Sequence, residues 1–311
     1  MQPAFSVIFL TTLCGAAQGL FLALFATELS GTLAAPDNQR FLFTASLVSL
    51  ALTGLGLLAS FFHLGRPERA WRSAAMWRTS WLSREVIALP IFMAGLFFYA
   101  GAHYMGMGNT VLLGAITVIA CFALFISTAM IYASVRFLQE WASPLTVVNY
   151  LLLGCASGLT LATLLAAGMG MSVLVKPYGL AAVLFTVLAG VTRAASLVRN
   201  ARLKPKSSLQ SALGIKHPRI VQKAMGFMGG SFNTREFFHG RTAQLLRSVK
   251  WAFLLLVFPV PLLLLALGVP SASLTLLFLA FAAQYIGLLA ERWFFFAQAN
   301  HPQNLYYQTI S

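Results

Sequence analysis

Residues His63 to Glu85 read HLGRPERAWRSAAMWRTSWLSRE and join two long apolar runs, yet these 23 residues hold one histidine, five arginines, two glutamates and three tryptophans. Gly65 and Pro67 cannot comfortably continue a helix that ends at His63, so the chain turns here. Arg66, Arg69, Arg72, Arg78 and Arg84 suit a headgroup layer, and Trp71, Trp77 and Trp81 have the amphipathic rings favoured at a membrane interface. Ser83 and Glu85 are expected to open the next helix, as a capping hydroxyl and an acid in the first turn.

The runs on either side repeat along the chain. Eight apolar segments have about the 20 residues that a bilayer core requires: Ala4 to Leu29, Phe41 to His63, Glu85 to Tyr104, Val111 to Val135, Val147 to Ala167, Pro177 to Leu197, Trp251 to Val269 and Ser271 to Phe296. With 59% hydrophobic and 9% charged residues in 311, and a mean hydropathy of +0.80, an ordinary soluble domain is excluded. No alternating ten-residue segments suggest a barrel. The expected fold is an all-α integral membrane protein with eight transmembrane helices. It forms one domain over 1–311, with a long basic loop over 198–250 between helices six and seven. The N-terminus lacks the basic flank of a cleavable signal, so the first run is read as a retained helix.

The net charge of +14 is distributed unequally. Eight spans place 19 Lys and Arg on one face and leave Arg40 and Lys176 on the other. That asymmetry is a topology signal rather than a nucleic-acid footprint. It puts both termini, the His63 to Glu85 loop and the long loop in the cytoplasm of a bacterial inner membrane. Glu28 and Asp37 fall on the sparsely charged side and are expected to be solvated, and Arg193 is expected to snorkel from helix six. Gly15 and Gly19, with Gly154 and Gly158, have the spacing of closely packed helices. Pro259 and Pro261 should break helix seven. In the long loop, Ile220, Val221, Ala224, Met225, Phe227 and Met228 share one face of a helix expected to lie in the interface, amid membrane lipid.

The residues also constrain chemistry. Of the five histidines, only His63 and His103 border a span, at opposite ends, so paired axial ligands for haem are not expected. Cys14, Cys121 and Cys155 are isolated, which argues against an iron–sulfur cluster or other metal site in this chain. A redox role would then use a diffusible quinone and an external electron partner. Reducing a quinone takes two electrons and two protons, and His63 and Glu85 are the candidate hydrogen-bonding and proton-transfer groups. Leu64, Gly65, Arg66, Trp77, Glu291 and Arg292 are the further candidates for the pocket. Arg69, Arg72, Arg78, Arg84, Arg235 and His239 are the candidates for a docking surface. A transporter also uses broken helices and intramembrane charge, and a purely structural anchor needs no quinone; both readings stand beside the first.

The turn HLGRPERAW followed by SWLSRE, with His63 and Glu85 22 positions apart, resembles the anchor subunits of the dimethyl sulfoxide reductase (DmsC) family, and the likeness extends to the eight-span layout and the Glu291-Arg292 end of helix eight. The resemblance implies a haem-free subunit holding a four-cluster iron–sulfur subunit and a molybdenum bis-pterin catalytic subunit. It implies that His63 serves the site of ubiquinone or menaquinone and that Glu85 lies near it. Two features depart from that pattern: the motif faces the cytoplasm by charge count, and the long loop with SFNTREFFHG is extra. Both look more like the anchor of a cytoplasm-facing sulfite dehydrogenase. That implies quinone reduction coupled to sulfite oxidation, with a quinol-oxidising anchor of an S- or N-oxide reductase as the alternative.

Overall fold

The computed structural model describes residues 1–32, 37–62, 64–224 and 236–307. Its long helices are α1 (Phe5–Ser30), α2 (Asp37–Phe61), α3 (Trp81–Tyr104), α4 (Val111–Ala133), α5 (Pro144–Gly168) and α6 (Ser172–Ala201), then α8 (Ala243–Val257), α9 (Pro259–Ser271) and α10 (Leu274–Ala297). A single-turn α7 (Leu209–Leu213) and two 3₁₀ segments, Pro67–Met76 and Pro302–Tyr306, lie in the connections. Taking α8 and α9 as one span, eight helices among the described residues are long and apolar enough to cross a membrane. The 26 residues of α1 reach about 39 Å at 1.5 Å per residue.

The spans are nearly apolar all round, so small residues rather than an amphipathic stripe decide which faces meet. Helices α1 and α5 occupy the middle. A Cβ placed on Gly158 would fall 2.2 Å from the Gly19 backbone, and one on Gly19 would fall 2.3 Å from the Gly154 carbonyl oxygen. The two backbones therefore touch where larger side chains would hold them apart. Helices α2, α3 and α4 pack on one side of this pair, and α6, α8, α9 and α10 on the other. The seventh span breaks at Phe258, directly before Pro259, as the prolines predict.

Both ends of the described chain meet on one face. The Met1 ammonium donates to the Ala299 carbonyl at 2.8 Å, and the Gln2 N–H donates to the Glu236 carbonyl at 2.8 Å. Two expectations shift. The seventh span starts at Ala243, eight residues before Trp251, because Thr242 caps it by accepting the Leu245 N–H. In the expected interfacial helix, residues 220–224 have no helical structure, and Met225, Phe227 and Met228 lie outside the described residues. Val221, Lys223 and Ala224 are exposed, so residues 220–224 lack the packing that stabilises a helix.

Candidate functional site

The loop after α2 is a ten-residue 3₁₀ stretch whose Trp71 and Trp77 stand exposed. Arg72, Arg78 and Arg84 lie over Trp71, Trp77 and Trp81 at 5.7, 5.4 and 4.1 Å from the ring centres. Such cation–π contacts hold guanidinium groups against rings while leaving their donors free. Arg84 uses its donors inward, giving 2.9 Å hydrogen bonds to the carbonyls of Trp77 and Arg78. It fastens the loop to the start of α3. Arg69 lies 3.9 Å from Glu68, and with Arg66, Arg72 and Arg78 it is exposed. Gly65 is exposed and Leu64 half-buried. His63 and Arg235 lie outside the described residues. His239 is half-buried near Arg241 and the N-terminal ammonium; burial, first, and those two cations lower its pKa from the usual value.

Ser80, not Ser83, caps α3 by accepting the Ser83 N–H at 3.3 Å. Glu85 thus sits in the second turn instead of opening the helix, turned into the bundle with 8% of its surface exposed. The Thr128 hydroxyl of α4 donates to it at 2.5 Å. Beside the carboxyl is a cavity of about 30 Å³ walled by Thr11, Gln18, Glu85, Thr128, Tyr150 and Arg292. At roughly 10–15 Å³ per water it has room for about two waters and none for an aromatic ring. A larger groove, about 380 Å³, opens on the other side of α3, between α3 and α4. Trp77, Trp81, Arg84, Ile91, Ala120 and Ser127 are among its lining residues.

Behind Glu85 lies a buried ion group. Glu291 Oε1 is 2.7 Å from Arg193 Nε, and its Oε2 is 3.1 Å from Arg292 Nε. The glutamate is 1% exposed and the arginines 2% and 4%. Because Glu291 and Arg292 are adjacent on α10 they point about 100° apart, so one turns to α6 and the other to α5. The Arg292 guanidinium carbon sits 3.6 Å over the Tyr150 ring. Tyr132, Tyr150, Trp141 and Phe295 stack around it, and the Trp141 indole N–H donates to the Phe295 carbonyl at 2.9 Å.

The structure brings Glu85, Arg292 and Glu291 together, as the sequence suggests, and sets Trp77 apart from them on the groove side of α3. It corrects Arg193, which does not snorkel. The residue lies eight positions before the end of α6 at Ala201, about 12 Å of helix rise from that end, whereas the apolar run in the sequence ends at Leu197, only four residues on. It also corrects Glu28, which is not solvated: its side chain is 7% exposed. Tyr99 donates to it at 2.7 Å, Thr110 also donates to it, and His103 Nε2 lies 3.6 Å away. This cluster ties α1, α3 and the start of α4 together at the face opposite the loop. Asp37 is exposed as expected. Tyr150, Thr128 and Gln18 gave no sign in the sequence, since nothing in an apolar run shows which neighbour a hydroxyl meets.

A bundle of eight apolar helices among the described residues, with buried charges gathered beneath a basic, tryptophan-rich loop, is a multi-pass membrane protein. The sequence matches the DMSO reductase anchor subunit (DmsC) family over residues 1–298. It is 55% identical, over the full length of both proteins, to a subunit of the sulfite dehydrogenase of Allochromatium vinosum. To a subunit of the anaerobic dimethyl sulfoxide reductase of Haemophilus influenzae it is 28% identical, across 50% of this sequence and 56% of the other. The protein belongs to the DmsC family.

Proposed function

We propose that this protein is the membrane anchor and quinone-exchange subunit of a molybdenum bis-pterin and iron–sulfur oxidoreductase, and that it passes electrons from sulfite oxidation to ubiquinone or menaquinone. The observation that carries the proposal is a buried carboxyl, Glu85, set under an exposed loop of arginines and tryptophans with a groove between α3 and α4 alongside. The groove volume lies in the 300–1,000 Å³ range of small-molecule sites. Its apolar walls with Arg84 and Ser127 suit a quinone ring carrying two carbonyl acceptors. His63 would bond one carbonyl, and Glu85, which α3 separates from the groove, would hold protons on the inner side of that helix.

The exposed Arg66, Arg69, Arg72 and Arg78, with Arg235 and His239, would seat the four-cluster iron–sulfur subunit, and the catalytic subunit would sit beyond it. The charge asymmetry supports a cytoplasmic position for this face. The full-length likeness to a sulfite dehydrogenase subunit supports sulfite as the partner's substrate. Electrons balance: sulfite and water give sulfate, two electrons and two protons, and the quinone takes up two electrons and two protons. The test is His63→Ala in the assembled complex, which should abolish sulfite-driven quinone reduction while an artificial acceptor is still reduced by the partner. Undiminished quinone reduction would overturn the assignment.

A further inference from the structure

Three cavities lie in series between the loop-bearing face and Glu85. The outermost, about 480 Å³, is open and is lined in part by Glu140, Asn200, Lys206 and His301. The second, about 10 Å³, shares Glu140 and Asn200 with the first and adds Asn149, Tyr150, Arg193 and Arg292. The third is the 30 Å³ cavity at Glu85, which shares Tyr150 and Arg292 with the second. At roughly 10–15 Å³ per water, the second and third hold about one and two waters. Their walls are mostly apolar, but the polar groups of Gln18, Glu85, Thr128, Tyr150 and Arg292 at the inner cavity supply the two to four partners that a buried water needs.

One buried polar atom along this line, Asn149 Oδ1, makes no hydrogen bond among the described residues, and the Tyr150 hydroxyl has Arg292 and Tyr132 as neighbouring partners. Asn149 and Tyr150 are 5% and 6% exposed. A buried unpaired polar atom costs about 1–3 kcal/mol, which a bridging water offsets. Tyr150 belongs to the wall between the two inner cavities, and a phenol both donates and accepts. Arginine, by contrast, keeps its proton. Arg193 and Arg292 therefore orient water and hold Glu291 without relaying anything.

We propose that these cavities form a proton route: waters carry protons from the mouth at Glu140 and Asn200 past Asn149 to the Tyr150 hydroxyl, and from there to the Glu85 carboxyl. Each transfer breaks one O–H bond as the next forms, so Tyr150 receives a proton on one side and gives one up on the other. The route ends at the Glu85 carboxyl, and delivery to a quinone in the groove then takes one more transfer past α3. The inference rests on the quinone reading above for its purpose, but the water-filled route stands on geometry alone.

The test uses Tyr150→Phe, which keeps the ring under Arg292 and removes only the hydroxyl, and Asn149→Leu, which fills the second cavity. In the assembled complex each should slow quinone reduction about tenfold, raise the solvent deuterium isotope effect, and leave the quinone KM and artificial-acceptor reduction unchanged. A high-resolution map of the wild-type complex should show ordered water in both inner cavities. Wild-type rate and isotope effect in both variants, or dry inner cavities, would overturn the route. If instead His63→Ala leaves quinone reduction intact, the parent reading fails while the map still decides the route.

Discussion

Replacing Glu291 by Gln keeps the side chain's shape and removes the anion between Arg193 and Arg292. The native trio, two guanidinium groups and one carboxylate in contact at 2.7 and 3.1 Å, carries a net charge of +1; the variant carries +2 in the same buried volume. Removing one partner of a buried ion pair costs about 3–5 kcal/mol, because the remaining charge is left uncompensated. The upper half of that range applies here, since two cations lose their counterion and then repel each other. At roughly 2 °C per kcal/mol for a protein of this length, the melting point should fall by about 8–10 °C. The assay is thermal unfolding of the purified protein in mild detergent, followed by tryptophan fluorescence. Adding Arg193→Met to Glu291→Gln restores the net charge to +1 and should recover more than half of the loss, the coupling expected of groups in contact. A Glu291→Gln melting point within about 2 °C of wild type would refute the reasoning, as would a double variant less stable than either single one.

Gly158→Ala should weaken the bundle by about 1–3 kcal/mol, the usual effect of overpacking, because the new methyl meets the Gly19 backbone and not a movable side chain; a lower melting point in detergent checks it, and an unchanged one would mean the helices separate freely. Sulfite-driven quinone reduction in proteoliposomes should build no membrane potential, because electrons and protons enter from one face; a potential-sensitive dye that reports a voltage would contradict this.

The sequence discloses the spans well, and the reason is physical: runs of about 20 apolar residues have few alternative fates in a bilayer. Pro259 and the close-packing glycines of α1 and α5 were equally legible, because a missing N–H and a missing side chain act wherever their neighbours lie, but that α1 and α5 pack on each other came only from the structure. Rotation about each helix axis was not legible. Arg193 and Glu28 both read as surface charges, and each instead meets partners on helices distant in sequence, Glu291 in one case and Tyr99 with Thr110 in the other. Glu85 was found, but its place was off by one turn, because Ser80 and Ser83 are both able caps and only the backbone geometry chooses between them. The quinone-pocket candidates divide for a similar reason: Trp77 and Glu85 flank one loop in sequence, and α3 stands between them in space.

Gly15 and Gly154, where α1 and α5 touch backbone to backbone, also line the innermost cavity. The cavity beside Glu85 is thus bounded in part by main chain, which no change of rotamer can move. A methyl group on Gly154 would press on the Phe125 ring and the Gly15 carbonyl, so the depth of this recess depends on a residue that carries no side chain.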